Sequence, residues 1–123
     1  MSSIVLWVSD IEAQTIFYSE LFGIPAPISV NGFANVSDGK NAVLVHQLPE
    51  EFRAQVPLTK QLEVQEQVAI KPIFTLVSIN EALQRSRNSC ATFASESLKH
   101  GDYEYLDAVD PEGNVIQIRQ VIN

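Results

Sequence analysis

The residues of this chain that could do chemistry are few, and most lie on stretches that alternate like β-strands. Of the two histidines, His46 could act as a general base or bind a ligand, or could be an ordinary surface histidine near a strand end. Arg119 could hold an anionic group through its guanidinium fork, or could be a solvated charge. Gln117 suits a position where a polar side chain lines a binding site. The single cysteine, Cys90, has no identified histidine partner, which favours an inert thiol over a nucleophile.

The composition describes a small acidic domain and excludes several function classes. A length of 123 residues fits one domain, and 15 acidic against 8 basic residues give a net charge of −7. That charge argues against binding to nucleic acid or to an anionic membrane surface. One cysteine excludes an internal disulfide framework and a cysteine-rich zinc site. Without a signal-peptide pattern or an apolar run of roughly 20 residues, the expected location is the cytoplasm.

The elements that must position these residues are repeated along the chain. The hexapeptide that starts at Val8 resembles the one that starts at Val77. Each follows an apolar, β-branched run and precedes a helical pattern. Their shared Ser-x-x-Glu predicts a capping box at Ser9 and Ser78, in which the serine accepts a hydrogen bond from a backbone N–H. The repeat therefore indicates duplication of a strand–cap–helix unit.

Hydrophobic periodicity and turn residues predict the remaining elements. Gly23 should close the first helix, Asn31-Gly32 signals a hairpin turn, and the segment 110–114 (Asp-Pro-Glu-Gly-Asn) is a strong turn. The predicted helices cover residues 10–22 and 79–89, with one helical turn near 50–54. The predicted strands cover residues 3–8, 28–30, 33–37, 41–47, 70–77, 91–95, 103–109 and 114–120, with a loop over 96–102. The expected fold class is α+β, with two βαβββ modules in tandem: residues 1–47, a connection over 48–69, and residues 70–123.

Two motifs resemble the vicinal-oxygen-chelate superfamily, which includes glyoxalase I, extradiol dioxygenases, thiol-transferring fosfomycin-resistance enzymes and bleomycin-binding proteins. The first is a strand that ends in Val-x-Asp, followed by a helix that carries Phe17-Tyr18 and ends in Leu-Phe-Gly. The second is the Asp-Pro-Glu-Gly-Asn-Val-Ile segment at 110–116, which is similar to the closing signature of that superfamily. The resemblance covers residues 3–120 and implies curved mixed sheets that form a shared groove between the modules.

The resemblance also implies four positions for the ligands of a divalent metal, with histidine or glutamate expected at each. In this chain they fall on Ser3, Leu44, Pro72 and Gln117, none of which is a normal ligand of a catalytic metal. No cofactor is therefore predicted. A metal site rebuilt from His46, His100 and a carboxylate remains an alternative, because geometry decides ligation.

Strand alternation predicts which side chains line the groove, because residues two apart share a face. Ser3 places Val5 and Trp7 on the groove side, and the later strands add other groove-facing residues. Trp7 could bind a ligand or could fill the groove or an interface by packing. Tyr103 and Tyr105 share one face of the seventh strand and could stack a planar ligand or simply pack on the sheet. The full predicted ligand-binding set is Val5, Trp7, His46, Phe74, Tyr105, Gln117 and Arg119.

Three functions follow from these observations. The first is a metal-free protein that binds or sequesters a small aromatic or cationic molecule in the groove. The second is an enzyme of the superfamily, a lyase, dioxygenase or thiol transferase, with relocated metal ligands or with His46 as base. The third is a regulatory module whose groove is filled by its own side chains. A homodimer is expected in each case, with no nucleic-acid or membrane partner.

Overall fold

The computed structural model describes residues 2–53 and 70–122. Two helices of about three and two turns and a short helical segment accompany the strands of two sheets. The elements are β1 (Ser2–Val8), α1 (Ile11–Phe22), β2 (Phe33–Ser37), β3 (Asn41–Gln47), α2 (Glu50–Arg53), β4 (Ile73–Thr75), α3 (Ile79–Arg85), β5 (Thr92–Phe93), β6 (Leu98–His100), β7 (Tyr103–Val109) and β8 (Val115–Val121). None of the helices in these described stretches is long and apolar enough to cross a membrane.

Each sheet places the first strand of its half of the chain beside the last. Sheet one has the order β1-β3-β2, with β1 parallel to β3 and β2 antiparallel to it. Sheet two has the order β4-β8-β7-β5, with β4 parallel to β8 and β6 also paired to β7. Parallel strands must be joined by a crossover connection. Helix α1 lies in the connection from β1 to β3, and α3 lies in the connection from β4 to β8. The predicted α+β class with mixed sheets is confirmed, whereas the module boundaries at 47 and 70 stay a prediction.

The caps of the two helices show how the repeat is aligned in space. Asp10 caps α1, since its Oδ1 accepts from the N–H of Ala13 at 3.1 Å, and Ser78 caps α3 by accepting from Glu81 at 3.2 Å. The prediction of a capping serine is confirmed at Ser78 and wrong at Ser9, because a carboxylate one residue later reaches the free N–H groups of α1. The structural repeat therefore aligns Asp10 with Ser78, whereas the sequence repeat aligned Ser9 with Ser78.

Turn chemistry fixes several other boundaries. Gly23 adopts φ 73° and ends α1 as predicted, and Asn31 and Gly32 both have positive φ in the predicted hairpin turn. The expected strand over 28–30 is reduced to one bridge between Val30 and Phe33. The expected loop over 96–102 contains the edge strand β6. All three of its residues are exposed, so no side of the strand is buried and its sequence shows no alternation of apolar and polar residues.

Three other elements are shorter than predicted, and one segment lies outside the described residues. The strand expected over 70–77 is limited to β4 (73–75), and the strand expected over 91–95 is limited to β5 (92–93). The helix expected over 79–89 ends at Arg85. The helical turn expected near 50–54 is α2. Of the predicted connection, residues 54–69 are outside the described part of the chain.

Helix α1 contributes to a core that both sheets share. Its Phe17, Tyr18 and Leu21 are fully buried, and Tyr18 packs against Phe74 of β4 with ring centroids 6.0 Å apart. The inward faces of the sheets supply the rest of the core, including Val36, Val43, Val45, Ile116 and Ile118. The helices thus cover one face of each sheet. The opposite faces, called the open faces below, carry the predicted site residues except Phe74, which is buried.

Candidate functional site

Three ring side chains form a cluster on the open face of sheet one, called the aromatic platform below: Trp7, Phe33 and His46. Backbone pairing places Trp7 and Phe33 on either side of His46, each directly opposite it on a neighbouring strand. The imidazole centroid lies 4.8 Å from each of the other two rings, tilted by 46° to Trp7 and edge-on to Phe33 at 72°. Cross-strand pairs at this spacing interact directly, so the strands hold the three rings as one unit.

The aromatic platform is exposed, although large apolar side chains such as Trp7 and Phe33 are usually buried in a core. Trp7 is 57% exposed and Phe33 39% exposed, and Val5, two residues before Trp7, is 51% exposed. An exposed group of large apolar side chains is typical of a binding surface. Trp7, Val5 and His46 were predicted on this face, and Phe33 was missed. The turn at Asp38-Gly39-Lys40 could have revealed Phe33, because the loop of the hairpin between β2 and β3 fixes a register in which Phe33 stands opposite His46.

The open face of sheet two is polar, and Asp107 is at its centre. The Gln117 amide donates to Asp107 Oδ1 at 2.9 Å, and the Lys71 ammonium lies 3.2 Å from Asp107 Oδ2. The side chains of Lys71 and Asp107 are 43% and 47% exposed, so this ion pair contributes little to stability. Gln117 does lie on the predicted face, but its amide is already engaged by a neighbouring side chain.

Arg119 is held on the same face by its neighbours. Its Nε donates to Thr75 Oγ1 at 2.8 Å, and its guanidinium carbon lies 3.9 Å from the centroid of the Tyr103 ring. This cation–π contact orients the guanidinium along the sheet. Tyr105 stands opposite Arg119 in the β7–β8 pairing, and its ring centroid is 6.0 Å from that of Tyr103. Arg119 and Tyr105 therefore lie on the same open face, opposite each other on neighbouring strands.

The prediction for β4 is wrong by one residue, which reverses its two faces. Ile73 stands opposite Gln117 and is 47% exposed, whereas Phe74 is 4% exposed and packs against Tyr18 and Phe22. Phe74 is therefore a core residue and not part of the open face. Because the side-chain period of a strand is two, a shift of one residue moves every side chain to the other side.

Comparisons with solved structures match the whole architecture. An enzyme of the glyoxalase/bleomycin resistance protein/dioxygenase family from Burkholderia phytofirmans PsJN is 19% identical with a TM-score of 0.66, over 98% of each chain. A glyoxalase/bleomycin resistance protein from Albidiferax ferrireducens T118 is 14% identical with a TM-score of 0.68, over 98% of this chain and 97% of the other. The chain has the glyoxalase/bleomycin-resistance fold.

The likeness extends to other proteins of the same fold but is confined to structure. An integron cassette protein from the mobile metagenome of V. cholerae is 22% identical with a TM-score of 0.62, over 98% of this chain and 93% of the other. No protein-family model matches the sequence, and neither does any curated protein. Because all of these sequence identities are low, the comparisons show the fold, and the function must be argued from the side chains.

The residues at the positions that the superfamily resemblance implies for metal ligands do not fit a divalent metal. The alignment of Asp10 with Ser78 as helix caps makes Lys71, rather than Pro72, the counterpart of Ser3. A lysine ammonium beside Gln117 adds positive charge where a metal would need negative or neutral oxygen and nitrogen donors. Within residues 2–53 and 70–122, no three His, Cys, Asp or Glu side chains are grouped to hold a metal ion.

The closing turn of sheet two joins the two halves of the fold. Asp110, which is 2% exposed, accepts from the Tyr18 hydroxyl at 2.7 Å and from the Gln14 amide at 3.0 Å, both on α1. In the same turn, the Glu112 carboxylate accepts from the N–H groups of Ser9 and Asp10 at the start of that helix. Sequence reasoning identified this turn but not its partners, which lie near the other end of the chain.

This joint changes the titration of two of its side chains. Burial raises the pKa of Tyr18 well above 10.0, and the neighbouring Asp110 raises it further. Burial also raises the pKa of Glu112, and the N–H groups of Ser9 and Asp10 offset part of that rise. The phenol of Tyr18 is thus held in its neutral, hydrogen-bond-donating form.

Tyr18 should make the fold sensitive to alkali. Because its pKa is raised in the folded chain above the usual value of 10.0, its stabilising contribution is complete below pH 10 and is lost as the pH rises through the folded-state pKa. We expect the free energy of unfolding to fall by up to about 1.4 kcal/mol per pH unit above pH 10 from this group. Urea denaturation at stepped alkaline pH measures that slope. Tyr18→Phe should flatten it and Tyr105→Phe should not, and equal slopes in the two variants would contradict the prediction.

Proposed function

We propose that this protein binds a small molecule that carries a planar aromatic group, and that the aromatic platform is the contact surface. The observation that carries the proposal is the exposure of Trp7 beside His46 and Phe33, with ring centroids 4.8 Å from the imidazole. Stacking of a planar ligand would cover this apolar area and use rings that the sheet already holds in place. Val5, one step along the same face, extends the apolar surface.

The charge of the chain favours a cationic aromatic ligand. A net charge of −7 attracts positively charged molecules over distances beyond contact. At close range the faces of tryptophan and phenylalanine rings attract cations as well. On sheet two, Arg119 already lies over Tyr103 and donates to Thr75, which leaves the platform as the better-suited surface for a cation.

Binding without metal chemistry is part of the same proposal. Lys71 beside Gln117 supplies an ammonium where the superfamily resemblance implies a metal ligand, and the Asp107 carboxylate is engaged by both of these side chains. Some proteins of this fold are named as bleomycin resistance proteins. Capture of a ligand by such a protein requires affinity alone, which the aromatic platform can supply.

Tryptophan fluorescence provides the direct test, since Trp7 is the single tryptophan of the chain. Titration with proflavine, a planar aromatic cation, should quench Trp7 saturably, with a heat of binding in calorimetry. The anionic analogue 9-anthracenecarboxylate should bind more weakly, because the chain repels it. An aliphatic cation, such as putrescine, should leave the fluorescence unchanged. If proflavine gave neither saturable quenching nor heat, the proposal would fail.

The binding proposal and the enzyme alternative differ in what His46 should do. If His46 acts only as a member of the platform, His46→Phe keeps a ring between Trp7 and Phe33 and should retain proflavine binding within about threefold. An enzyme that used His46 as base would lose turnover in the same variant, whatever its affinity. An assay of the wild type and the His46 variant with the hemithioacetal of methylglyoxal and glutathione, with and without added divalent metal, distinguishes the enzyme alternative from the binding proposal.

We also propose that two copies of the chain associate. Among the described residues, the edge strand β6 has an unpaired side and an exposed apolar residue, Leu98 at 67% exposure, and Val121 on β8 is 55% exposed. Edges of this kind pair readily with a second chain. Light scattering should give twice the 13.6 kDa mass of one chain, and Leu98→Lys should shift the mass toward one chain. A wild-type chain that stays monomeric at about 100 μM would contradict the proposal.

A further inference from the structure

Arg119, on the open face of sheet two, is a half-buried cation without an acidic partner among the described residues. The register of β7 and β8 makes Asp107 its diagonal neighbour, because Asp107 stands opposite Gln117 and Tyr105 stands opposite Arg119. The oxygens of Asp107 are already engaged, one by the Gln117 amide and the other by the Lys71 ammonium. The charge of Arg119 is therefore left without a counterion on this face.

The guanidinium of Arg119 is nevertheless held in one orientation. Its Nε donates to Thr75 Oγ1 at 2.8 Å, and its central carbon lies 3.9 Å from the centroid of the Tyr103 ring. The two terminal nitrogens, Nη1 and Nη2, make no hydrogen bond to any described residue, and neither is enclosed by the residues around it. A small molecule can therefore reach a pair of donors whose positions are already fixed, which lowers the entropy cost of binding.

The shape and charge of this donor pair define a fitting ligand. Two terminal N–H groups of an arginine match the two oxygens of a carboxylate, which a lysine ammonium cannot do. Lys71 and Asp107 cancel each other, so Arg119 makes this face positive in a chain of net charge −7. Beside the guanidinium, the half-buried ring of Tyr105 provides a surface on which a second aromatic ring can pack.

From these contacts we infer that the open face of sheet two binds a small aromatic carboxylate. The carboxylate oxygens accept from Nη1 and Nη2 of Arg119, and the ring of the ligand lies against Tyr105. Thr75 and Tyr103 act through Arg119 as positioning residues. The site shares no residue with the aromatic platform and takes a ligand of the opposite charge, so it does not rest on the proposed function.

Amide chemical shifts of the full ¹⁵N-labelled chain, followed during titration with benzoate, test the inference. The amides of Thr75, Tyr105 and Arg119 should shift saturably, with a dissociation constant of order 1 mM, which is usual for a ligand of this size. Benzamide has the same shape without the charge and should bind about tenfold more weakly. The net charge of −7 disfavours benzoate relative to benzamide, so a preference for benzoate reports a local cation. This comparison needs no variant.

Three variants separate the guanidinium fork from charge alone. Arg119→Gln should weaken benzoate binding about tenfold, and Arg119→Lys, which keeps the charge without the fork, about fivefold. Lys99→Gln is the matched control, because it changes the net charge by the same amount from an exposed position opposite Glu104, on the other side of the sheet. It should bind benzoate within about twofold of the wild type. The dispersion of each ¹⁵N spectrum shows whether the variant is folded.

Several outcomes would overturn the inference. Unchanged amides up to roughly 20 mM benzoate would do so, as would equal affinities for benzoate and benzamide. Equal losses in the Arg119→Gln and Lys99→Gln variants would show that net charge alone attracts the ligand. Shifts confined to Trp7, Phe33 and His46 would place benzoate on the aromatic platform instead. Proflavine binding should be unchanged in Arg119→Gln, so a failure of this site and a failure of the proposed function can be told apart.

Discussion

Replacement of Asp110 by alanine should lower the free energy of unfolding by about 4 kcal/mol, a large loss for one substitution. The carboxylate is buried and accepts from Tyr18 and Gln14 on α1 and from the N–H groups of Glu112 and Asn114 in its own turn. Alanine would leave the buried donors of Tyr18 and Gln14 without an acceptor, at about 1–3 kcal/mol each, and would also remove the two hydrogen bonds within the turn. Urea denaturation measures the loss, and the dependence of the free energy of unfolding on urea concentration should be the same as in the wild type.

Asp38 provides a matched control for Asp110. It starts the corresponding turn of sheet one and accepts from the N–H groups of Lys40 and Asn41 at 2.8 and 2.7 Å. Its hydrogen bonds remain within its own turn, and the residue is only half-buried. Asp38→Ala should therefore lower the free energy of unfolding by about 1–2 kcal/mol. If the two variants lost the same stability, the contact between α1 and the closing turn would not be the cause of the larger loss.

The parts of the fold that sequence could predict are those whose ends carry turn chemistry. Strands β2, β3 and β7 begin and end where predicted, and the turns beside them contain Gly32, Gly39 or Gly101 at positive φ. Helix α1 is similarly bounded by Asp10 and Gly23. Such signals are local, so they can be read from neighbouring residues without knowledge of what packs against them.

The parts that sequence could not predict depend on pairing between distant segments. Strand β4 is three residues long and follows Pro72, so it has too few residues to show an alternation, and Phe74 was placed on the wrong face. Its register is set by the parallel pairing of Ile73 with Gln117. The same limit applies to the Tyr18–Asp110 hydrogen bond, which joins residues 92 positions apart.

For the candidate site, strand alternation was sufficient to predict which side chains share the open face of sheet one, but not which side chains contact one another on sheet two. Trp7 and His46 lie on long strands whose apolar neighbours point to the core, so their shared face could be read from the sequence. The contact of Lys71 and Gln117 with Asp107 could not, because it requires three side chains from separate segments. The role of Lys71 and Gln117 on sheet two therefore emerges only from the structure, whereas the shared face of Trp7 and His46 does not require it.

Trp7→Ala should weaken proflavine binding about 30-fold, or about 2 kcal/mol, the loss usual for a central aromatic contact residue. The indole is the largest exposed ring of the platform and contacts His46, so its removal leaves a gap beside the imidazole. Calorimetry measures the change, since this variant lacks the fluorophore. Val77→Ala removes an apolar side chain that is 90% exposed outside the platform, and should bind as the wild type does. Equal affinities for the Trp7 and Val77 variants would mean that the ligand binds elsewhere, because stacking on the platform cannot survive the loss of its main ring.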